Sequence, residues 1–410
     1  MSQSAYIVSA VRTPIGKFGG ALMEFSAVDL GVIAVRAALE RAFGSAPPVR
    51  EPGTEAPASP GACPPVDELI FGNARQAGGG PNPARQIAWR AGLGDDVPAF
   101  TVNMACASGI RALALAWQQI QLGEAEIVVA GGTESMSRLP YYVEARWGVK
   151  MGNQPLVDAM YRDGFLCPIS RMIMGETAEL LAREYKIPRD AQDEYAIESH
   201  QRAARAAAEG RFRDEIVVVE RKDKKGNVAR VEQDEHVRPD VTREAMAKLP
   251  PVFSKDGTIT AGNASGITDA AAALVVVSEA KLRELKLRPL VRIVDATMAA
   301  VDPRRMGIGP VPAVQRLAER TRWALDDYDV VELNEAFAAQ VLACDRELHF
   351  DRARLNPNGG AIALGHPIGC TGARITTTLV HEMLRRRARR GLATLCVSGG
   401  MGFAMALEAA

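Results

Sequence analysis

The sequence predicts an α/β protein made of two similar layered halves. Apolar segments with the spacing of strands alternate with segments that have the spacing of helices. The order turn, helix, strand and glycine pair occurs twice, ending first in IVVAGGTESMS (127–137) and later in TLCVSGGMG (394–402). The 410 residues exceed what one simple core accommodates, so we expect two or three domains.

The first half begins with AYIVSAVRTPIG (5–16), which predicts a strand that runs into a turn. The segment 26–43 has the apolar spacing of a helix. Residues 45–65 are rich in proline and glycine and predict a surface loop. A strand within 66–76 and a strand–helix–strand unit from 99 onward complete the elements predicted for this half.

Residues 137–267 differ from their surroundings, because they hold amphipathic helices at 171–185 and 191–210 and a charged hairpin at 212–228. This composition predicts an insertion. The alternation of strands and helices returns at 291 and predicts parallel strand pairing through crossovers. A duplication would place the equivalent helix N-termini of the two halves around a shared pocket.

Composition excludes several functional classes. Lys plus Arg and Asp plus Glu both number 49, and this zero net charge argues against a nucleic-acid partner. No apolar run is long enough to span a bilayer and no secretory signal is evident, so we expect no membrane partner and a cytoplasmic location. The six cysteines form no CxxC pair, which argues against a disulfide framework or a metal site.

Four stretches carry candidate catalytic residues: NMACASG with Cys106, ELNEAF with Asn334, GHPIGCTG with His366 and LCVSGGMG with Cys396. Each lies at a strand end or a strand-to-helix turn, where α/β folds bind ligands. A helix N-terminus favours the Cys106 thiolate. His366 would act as its base, Cys396 would transfer a proton, and glycine-turn N–H groups would hold an oxyanion. This set predicts acyl transfer through a thioester.

Each candidate also has a structural interpretation. Asn334 could cap the following helix, and Cys396 could be a strand core residue. The remaining cysteines are expected to serve packing or to lie in loops: Cys63, Cys167, Cys344 and Cys370.

Taken together, the four stretches resemble the thiolase family of acetyl-CoA acetyltransferases and 3-ketoacyl-CoA thiolases. The resemblance extends through VRTPIGKFGG (11–20), GGTESMSRLP (131–140), TAGNASGITDAAAA (260–273), MGIGPVPA (306–313) and NGGAIALGHPIG (358–369). It implies a thiolase-like fold with five α/β/α/β/α layers. The first half would comprise 1–136 and 268–288, and the second 289–410. An inserted loop domain at 137–267 would bind CoA and make the contacts of a homodimer or homotetramer.

The resemblance also implies residue roles. Cys106 matches the acylated nucleophile, His366 its base, and Cys396 the acid/base of the second half-reaction. Asn334 matches the residue that fixes a water in the first oxyanion hole, and the backbone N–H groups of Cys106 and Ser398 would form the second. The residues implied in CoA binding are Ser265, Arg238, Phe253, Ala261, Met174, Met306 and Phe337.

The implied reaction is ping-pong: a reversible Claisen condensation of acetyl-CoA or CoA-dependent thiolysis of a 3-ketoacyl-CoA. Acyl-CoA and CoA are substrates, and no bound cofactor is expected. Ile173 stands where short-chain biosynthetic members carry histidine, which predicts longer or different acyl groups.

Three alternatives remain at this point. A decarboxylating ketoacyl synthase of the same superfamily would use a second His or an Asn, whereas this chain offers Cys396. A non-catalytic module that binds CoA or lipid would form no covalent adduct. A nucleotide-binding redox protein would carry GxGxxG after its first strand, which this chain lacks.

Overall fold

A computed structural model describes residues 3–54, 65–222 and 226–410. Cys63 and the other residues of 55–64, within the predicted loop at 45–65, lie outside these residues. The strands are β1 Ala5–Arg12, β2 Gly16–Lys17, β3 Glu68–Gly72, β4 Ala99–Val102, β5 Ile127–Ser135, β6 Tyr141–Tyr142, β7 Val157–Asp158, β8 Val219–Lys222, β9 Val228–Val231, β10 Thr268–Ser278, β11 Val291–Ala300, β12 Val330–Leu333, β13 Arg390–Val397 and β14 Met401–Ala409.

The helices are α1 Ala27–Phe43, α2 Pro83–Arg90, α3 Ser108–Leu122, α4 Met174–Glu184, α5 Arg189–Ala208, α6 Arg243–Ala247, α7 Glu279–Glu284, α8 Pro310–Thr321, α9 Ala338–Leu348, α10 Ala361–Leu364 and α11 Ile368–Arg386. Helix α1 shows why the predicted boundaries hold. Ser26 and Asp29 form a capping box at its start, and Gly44 ends it in the left-handed conformation. None of the described helices is long and apolar enough to cross a membrane.

The strand order confirms the duplication. The large sheet runs β12-β13-β14-β11-β1-β10-β5-β3-β4, with β2 beside β10. The two halves meet where β1 pairs with β11. The order β1-β10-β5-β3-β4 of the first half repeats as β11-β14-β13-β12 in the second. The second half has no strand equivalent to β4 among the described residues. In its place, a single parallel bridge joins Leu355 to Val331 of β12, as β4 pairs with β3 in the first half.

The prediction of parallel pairing is correct only in part. Strand β3 is parallel to β4 and β5, and β12 is parallel to β13. The pairs β1–β10, β5–β10, β11–β14 and β13–β14 are antiparallel. In the last pair, only residues 398–400 join the strands. Gly399 and Gly400 have φ of 93° and 85°, which lets the chain reverse there.

Two helices from different halves lie at the centre of the molecule. Helix α11 packs against α3, and it also contacts β5 of the first half and β13 of the second. Their approach is close because each helix has a glycine against the backbone of the other. A Cβ on Gly109 would lie 2.7 Å from the backbone nitrogen of Ala373, and one on Gly372 would lie 2.4 Å from that of Ile110. Separate apolar clusters beneath α1 and α2 on one side and α8 and α9 on the other complete the five layers.

Candidate active site

The turn that carries Cys106 links β4 to α3. Cys106 lies in the helical turn Ala105–Ala107, and Ala105 before it has a left-handed φ of 46°. The Ser108 hydroxyl accepts a hydrogen bond from the Met104 N–H at 2.9 Å and donates to the Ala105 carbonyl at 2.7 Å. These bonds hold a backbone conformation that is costly for a residue with a side chain. Cys106 is thereby fixed at the start of the central helix.

One cavity brings three of the predicted catalytic residues together. Cys106, His366 and Cys396 all line it, and Ser398 lies on the same wall. Its empty volume of about 880 Å³, which includes the part open to solvent, is in the range typical of small-molecule sites. The predicted meeting of helix N-termini from both halves therefore produces a ligand-sized cavity.

The expectation that the helix start makes Cys106 acidic is wrong. Burial raises the pKa of this thiol, and the Glu134 carboxylate adds to that effect. The Arg75 charge and hydrogen bonds from the backbone N–H groups of Ser398 and Cys106 lower the pKa without reversing the shift. The resting group is therefore a thiol that needs a base. The two N–H donors are those predicted for the second oxyanion hole.

The hydrogen bonds of His366 assign its tautomer. Nδ1 lies 2.7 Å from the Thr371 hydroxyl oxygen, and that hydroxyl donates its one proton to the Pro367 carbonyl at 3.0 Å. Nδ1 must therefore carry the proton, which leaves Nε2 as the acceptor. Burial, with the charges of Arg374 and Arg75, lowers the pKa of His366 to about 3. The imidazole is neutral at physiological pH and can accept a proton.

Cys396 lies fully buried near the end of β13. Burial raises its pKa well above the usual value for a thiol, and negative charge at Cys106 or Cys344 raises it further. Cys396 and Cys106 line the same cavity. Cys396 therefore stays protonated and is suited to act as a proton donor.

Asn334 does not cap a helix, because α9 begins four residues later, at Ala338. Its side chain is completely buried, and neither Oδ1 nor Nδ2 has a hydrogen-bond partner among the described residues. Buried amides without partners are rare and commonly bind water. Asn334 is not itself part of the cavity wall.

Five of the seven residues predicted to contact CoA line the cavity: Ser265, Phe253, Met174, Met306 and Phe337. The rings of Phe253 and Phe337 meet edge to face, with centroids 6.3 Å apart. Arg238 and Ala261 are exposed and lie outside the cavity wall. Ile173, which the sequence singled out, is part of the wall.

Three residues of the site have no role predicted from the sequence. Thr371 orients His366, and Arg75 lines the cavity. The buried Glu134 carboxylate accepts hydrogen bonds from the Asn73 side chain at 2.7 Å and from the Gly369 N–H at 2.8 Å, which ties the two halves together. Arg75 follows the end of β3 and Glu134 is near the end of β5, so a search of every strand end would have found both.

Family comparisons match almost the whole chain. The family described as thiolase, N-terminal domain, matches residues 5–52 and 54–280. The thiolase C-terminal domain matches residues 287–409.

Individual relatives agree with this match. The chain is 48% identical to the acetyl-CoA acetyltransferase of Cupriavidus necator and 49% identical to the probable acetyl-CoA acetyltransferase of Escherichia coli, with 98% of each chain covered in both cases. Its structure is similar to that of the Bacillus anthracis acetyl-CoA acetyltransferase, with a TM-score of 0.92, 44% identity, and 100% and 99% of the two chains covered. The human mitochondrial 3-ketoacyl-CoA thiolase in complex with CoA gives a TM-score of 0.91 at 40% identity, with 100% and 98% covered.

Proposed function

This chain belongs to the thiolase family, and from that premise we propose that it transfers acyl groups between CoA thioesters through an S-acyl-Cys106 intermediate. The activity is that of an acetyl-CoA C-acetyltransferase or C-acyltransferase, with CoA and acyl-CoA as substrates and no bound cofactor. The observation that carries the proposed residue roles is the shared cavity, in which a thiol, a neutral imidazole and a second thiol meet.

The first half-reaction acylates Cys106. Nε2 of His366 takes the thiol proton as the sulfur attacks the thioester carbonyl, because the buried thiol is protonated at rest. The carbonyl oxygen gains negative charge, which His366 and a water held by Asn334 would stabilise. CoA leaves with the proton from His366, and the acyl group stays on sulfur.

The second half-reaction uses Cys396. In condensation, Cys396 first passes its proton to the neutral His366, and the resulting thiolate removes the α-proton of acetyl-CoA. The enolate attacks the acyl-enzyme, and Cys106 departs with the proton that His366 holds. In thiolysis, free CoA attacks the acyl-enzyme and Cys106 is released as a thiol. The N–H groups of Cys106 and Ser398, which hydrogen-bond to the sulfur at rest, would donate to the oxyanion of this step. One site therefore serves both directions.

Mass spectrometry of the protein mixed with acetyl-CoA tests the proposal. We expect a one-acetyl adduct on Cys106 that Cys106→Ser does not form. Cys396→Ala should form the adduct and lose condensation. A wild-type protein without the adduct would contradict the thiolase function, and Cys396→Ala condensing at the wild-type rate would contradict the role of that thiol.

The described surface supports a homo-oligomer, which we propose to be a dimer or a tetramer. Strand β4 lies at one edge of the large sheet and has an unpaired side. We propose the segment 137–267 as a loop domain inserted in the first thiolase half, 1–136 and 268–288, with 289–410 as the second half. In this segment, Trp147 and Met151 are 95% and 92% exposed. Large exposed apolar groups favour a protein interface. Sedimentation analysis would distinguish dimer, tetramer and monomer. Cell fractionation would test the proposed cytoplasmic location.

A further inference from the structure

Arg75 is a charged residue in a largely apolar cavity. Its side chain is 8% exposed and lies on the wall that also carries Cys106 and His366. Among the cavity-lining residues of the described chain, it is the one Asp, Glu, Lys or Arg. Arg75 also lines a second cavity, which includes Asn103 and Arg162.

The Arg75 guanidinium has few protein partners. Nη1 donates to the Asp163 carbonyl oxygen at 2.8 Å, while Nε is buried and has no partner among the described residues. No carboxylate oxygen of the described chain lies within 4.0 Å of an Arg75 guanidinium nitrogen. Elsewhere in the described chain, 24 pairs of oppositely charged groups meet that distance. The buried Glu134 carboxylate accepts its hydrogen bonds from Asn73 and from backbone N–H groups instead. The Glu134 carboxylate interacts with the Arg75 charge through space but makes no direct ion pair with it. Nε therefore lacks an acceptor among the described residues, and an anion in the cavity could supply one.

The wall around Arg75 is shaped for the guanidinium. Gly164, in the turn Tyr161–Phe165, lies against it: a Cβ on this glycine would be 2.6 Å from both Nε and Nη2 of Arg75. Any other residue at 164 would displace the guanidinium. The neighbouring wall is apolar, with Phe165, Ile173 and Ile368, and suits a chain of methylene groups.

Resting on the thiolase function proposed above, we propose that Arg75 is a specificity-determining residue that binds a carboxylate at the far end of the acyl group. The preferred substrates are then 3-ketoacyl-CoA thioesters that carry a terminal carboxylate. The planar guanidinium matches a carboxylate in shape and charge, and the apolar wall holds the methylene groups that lie between the carboxylate and the reacting carbonyl.

The reaction balances without a further reagent. The Cys106 sulfur passes its proton to Nε2 of His366 and bonds to C3 of the substrate, and the C2–C3 bond breaks with its electron pair going to C2. C2 takes the proton of Cys396, and acetyl-CoA leaves. The sulfur of a second CoA then attacks the acyl-enzyme and gives its proton to the Cys396 thiolate, and Cys106 departs with the proton that His366 holds. The products are acetyl-CoA and a shorter acyl-CoA, whose terminal carboxylate is unchanged throughout.

Thiolysis of two matched substrate series tests the proposal. One series carries a terminal carboxylate and the other ends in a methyl group at the same chain lengths. We expect wild-type kcat/KM to favour the acidic series by at least about 10-fold, as a charge-assisted hydrogen bond gives. In Arg75→Leu the ratio of the two kcat/KM values should fall by about 100-fold, since one partner of a buried charge pair is removed. In Arg75→Lys the ratio should fall less, because lysine keeps the positive charge.

Two further variants serve as independent checks. Gly164→Ala keeps Arg75 but displaces its guanidinium, and should also lower the ratio. Arg162→Leu is the matched control, because Arg162 lines the second cavity and already forms an ion pair with Glu144; it should leave the ratio unchanged. Equal wild-type activity on both series, an equal fall for both in Arg75→Leu, or a changed ratio in Arg162→Leu would overturn the proposal. If no acyl-CoA acylates Cys106, the thiolase function itself fails; acylation without a preference refutes the role of Arg75 alone.

Discussion

Replacing Thr371 by valine tests whether one hydroxyl sets the tautomer of His366. Valine has nearly the shape of threonine, so the change removes an acceptor with little change in packing. Thr371 is completely buried, and no other partner of Nδ1 is found among the described residues. The Nδ1–H would lose its acceptor, or the proton would move to Nε2, where it prevents His366 from accepting the Cys106 proton.

The expected magnitude follows from the cost of leaving a buried donor without a partner, about 1–3 kcal/mol. If that cost falls on the reactive state, acylation slows by roughly 5- to 150-fold, at about 1.4 kcal/mol per factor of ten. Rapid-quench mass spectrometry of the Cys106 adduct measures this step directly. The dissociation constant for CoA should stay unchanged, because Thr371 is not part of the cavity wall.

Thr371→Ser is the matched control, because it keeps the hydroxyl and loses only the methyl group. We expect Thr371→Ser to acylate close to the wild-type rate. The reasoning is refuted if Thr371→Val acylates within about 2-fold of wild type, which is below the range that the buried donor predicts. It is also refuted if Thr371→Ser slows as much as Thr371→Val, because the methyl group would then be responsible.

Three further outcomes can be measured. Asn334→Leu should keep or raise the melting temperature, since it removes buried polar atoms that have no partner among the described residues, and kcat should fall by about 100-fold or more. A lower melting temperature with normal kcat would instead show a structural role. Burial holds the pKa of His200 at about 4, so the unfolded chain takes up protons first and the free energy of unfolding falls as pH drops from about 6.5 to 4, by up to about 1.4 kcal/mol per pH unit. Denaturant titrations at several pH values should show a shallower fall for His200→Asn than for wild type. Gly372→Ala should destabilise the fold by about 1–3 kcal/mol or more, because its Cβ would lie 2.4 Å from the Ile110 nitrogen; the exposed Gly79→Ala, whose Cβ has space, is the control.

Residues within and next to a segment were sufficient to predict many of the helices and strands. The capping residues of α1 and the glycine after it lie within the helix sequence and its flanks, and the helix begins and ends where they predict. The repeated order of turn, helix and strand predicted the duplication, because equivalent strands take equivalent places in the sheet. The shared cavity of Cys106, His366 and Cys396 followed from placing each residue at a strand end or a helix start.

The features that the sequence did not predict correctly depend on contacts between segments far apart in the chain. Asn334 was open to interpretation as a helix cap because a helical pattern follows it. The chain instead leaves β12 at Leu333 and bends at Ala336, and Phe337 forms an isolated bridge with Ala264 from a segment about seventy residues earlier. The acidity of Cys106 was misjudged for the same reason: the helix start is local, whereas the burial that raises the pKa comes from segments distant in sequence. Antiparallel pairing of β10 with both neighbours is likewise a property of the whole sheet.

The pKa shifts explain how one cavity can support both half-reactions. Burial keeps Cys106 and Cys396 as thiols and His366 as a neutral imidazole, so none of the three carries a charge at rest. Charge develops only when a carbonyl is attacked, and it develops on oxygen. Fixed N–H donors in a buried site stabilise that charge more strongly than water does, because they need no reorientation. We therefore propose that catalysis depends on the donors at Cys106 and Ser398 and on the orientation of His366 rather than on an acidic thiol.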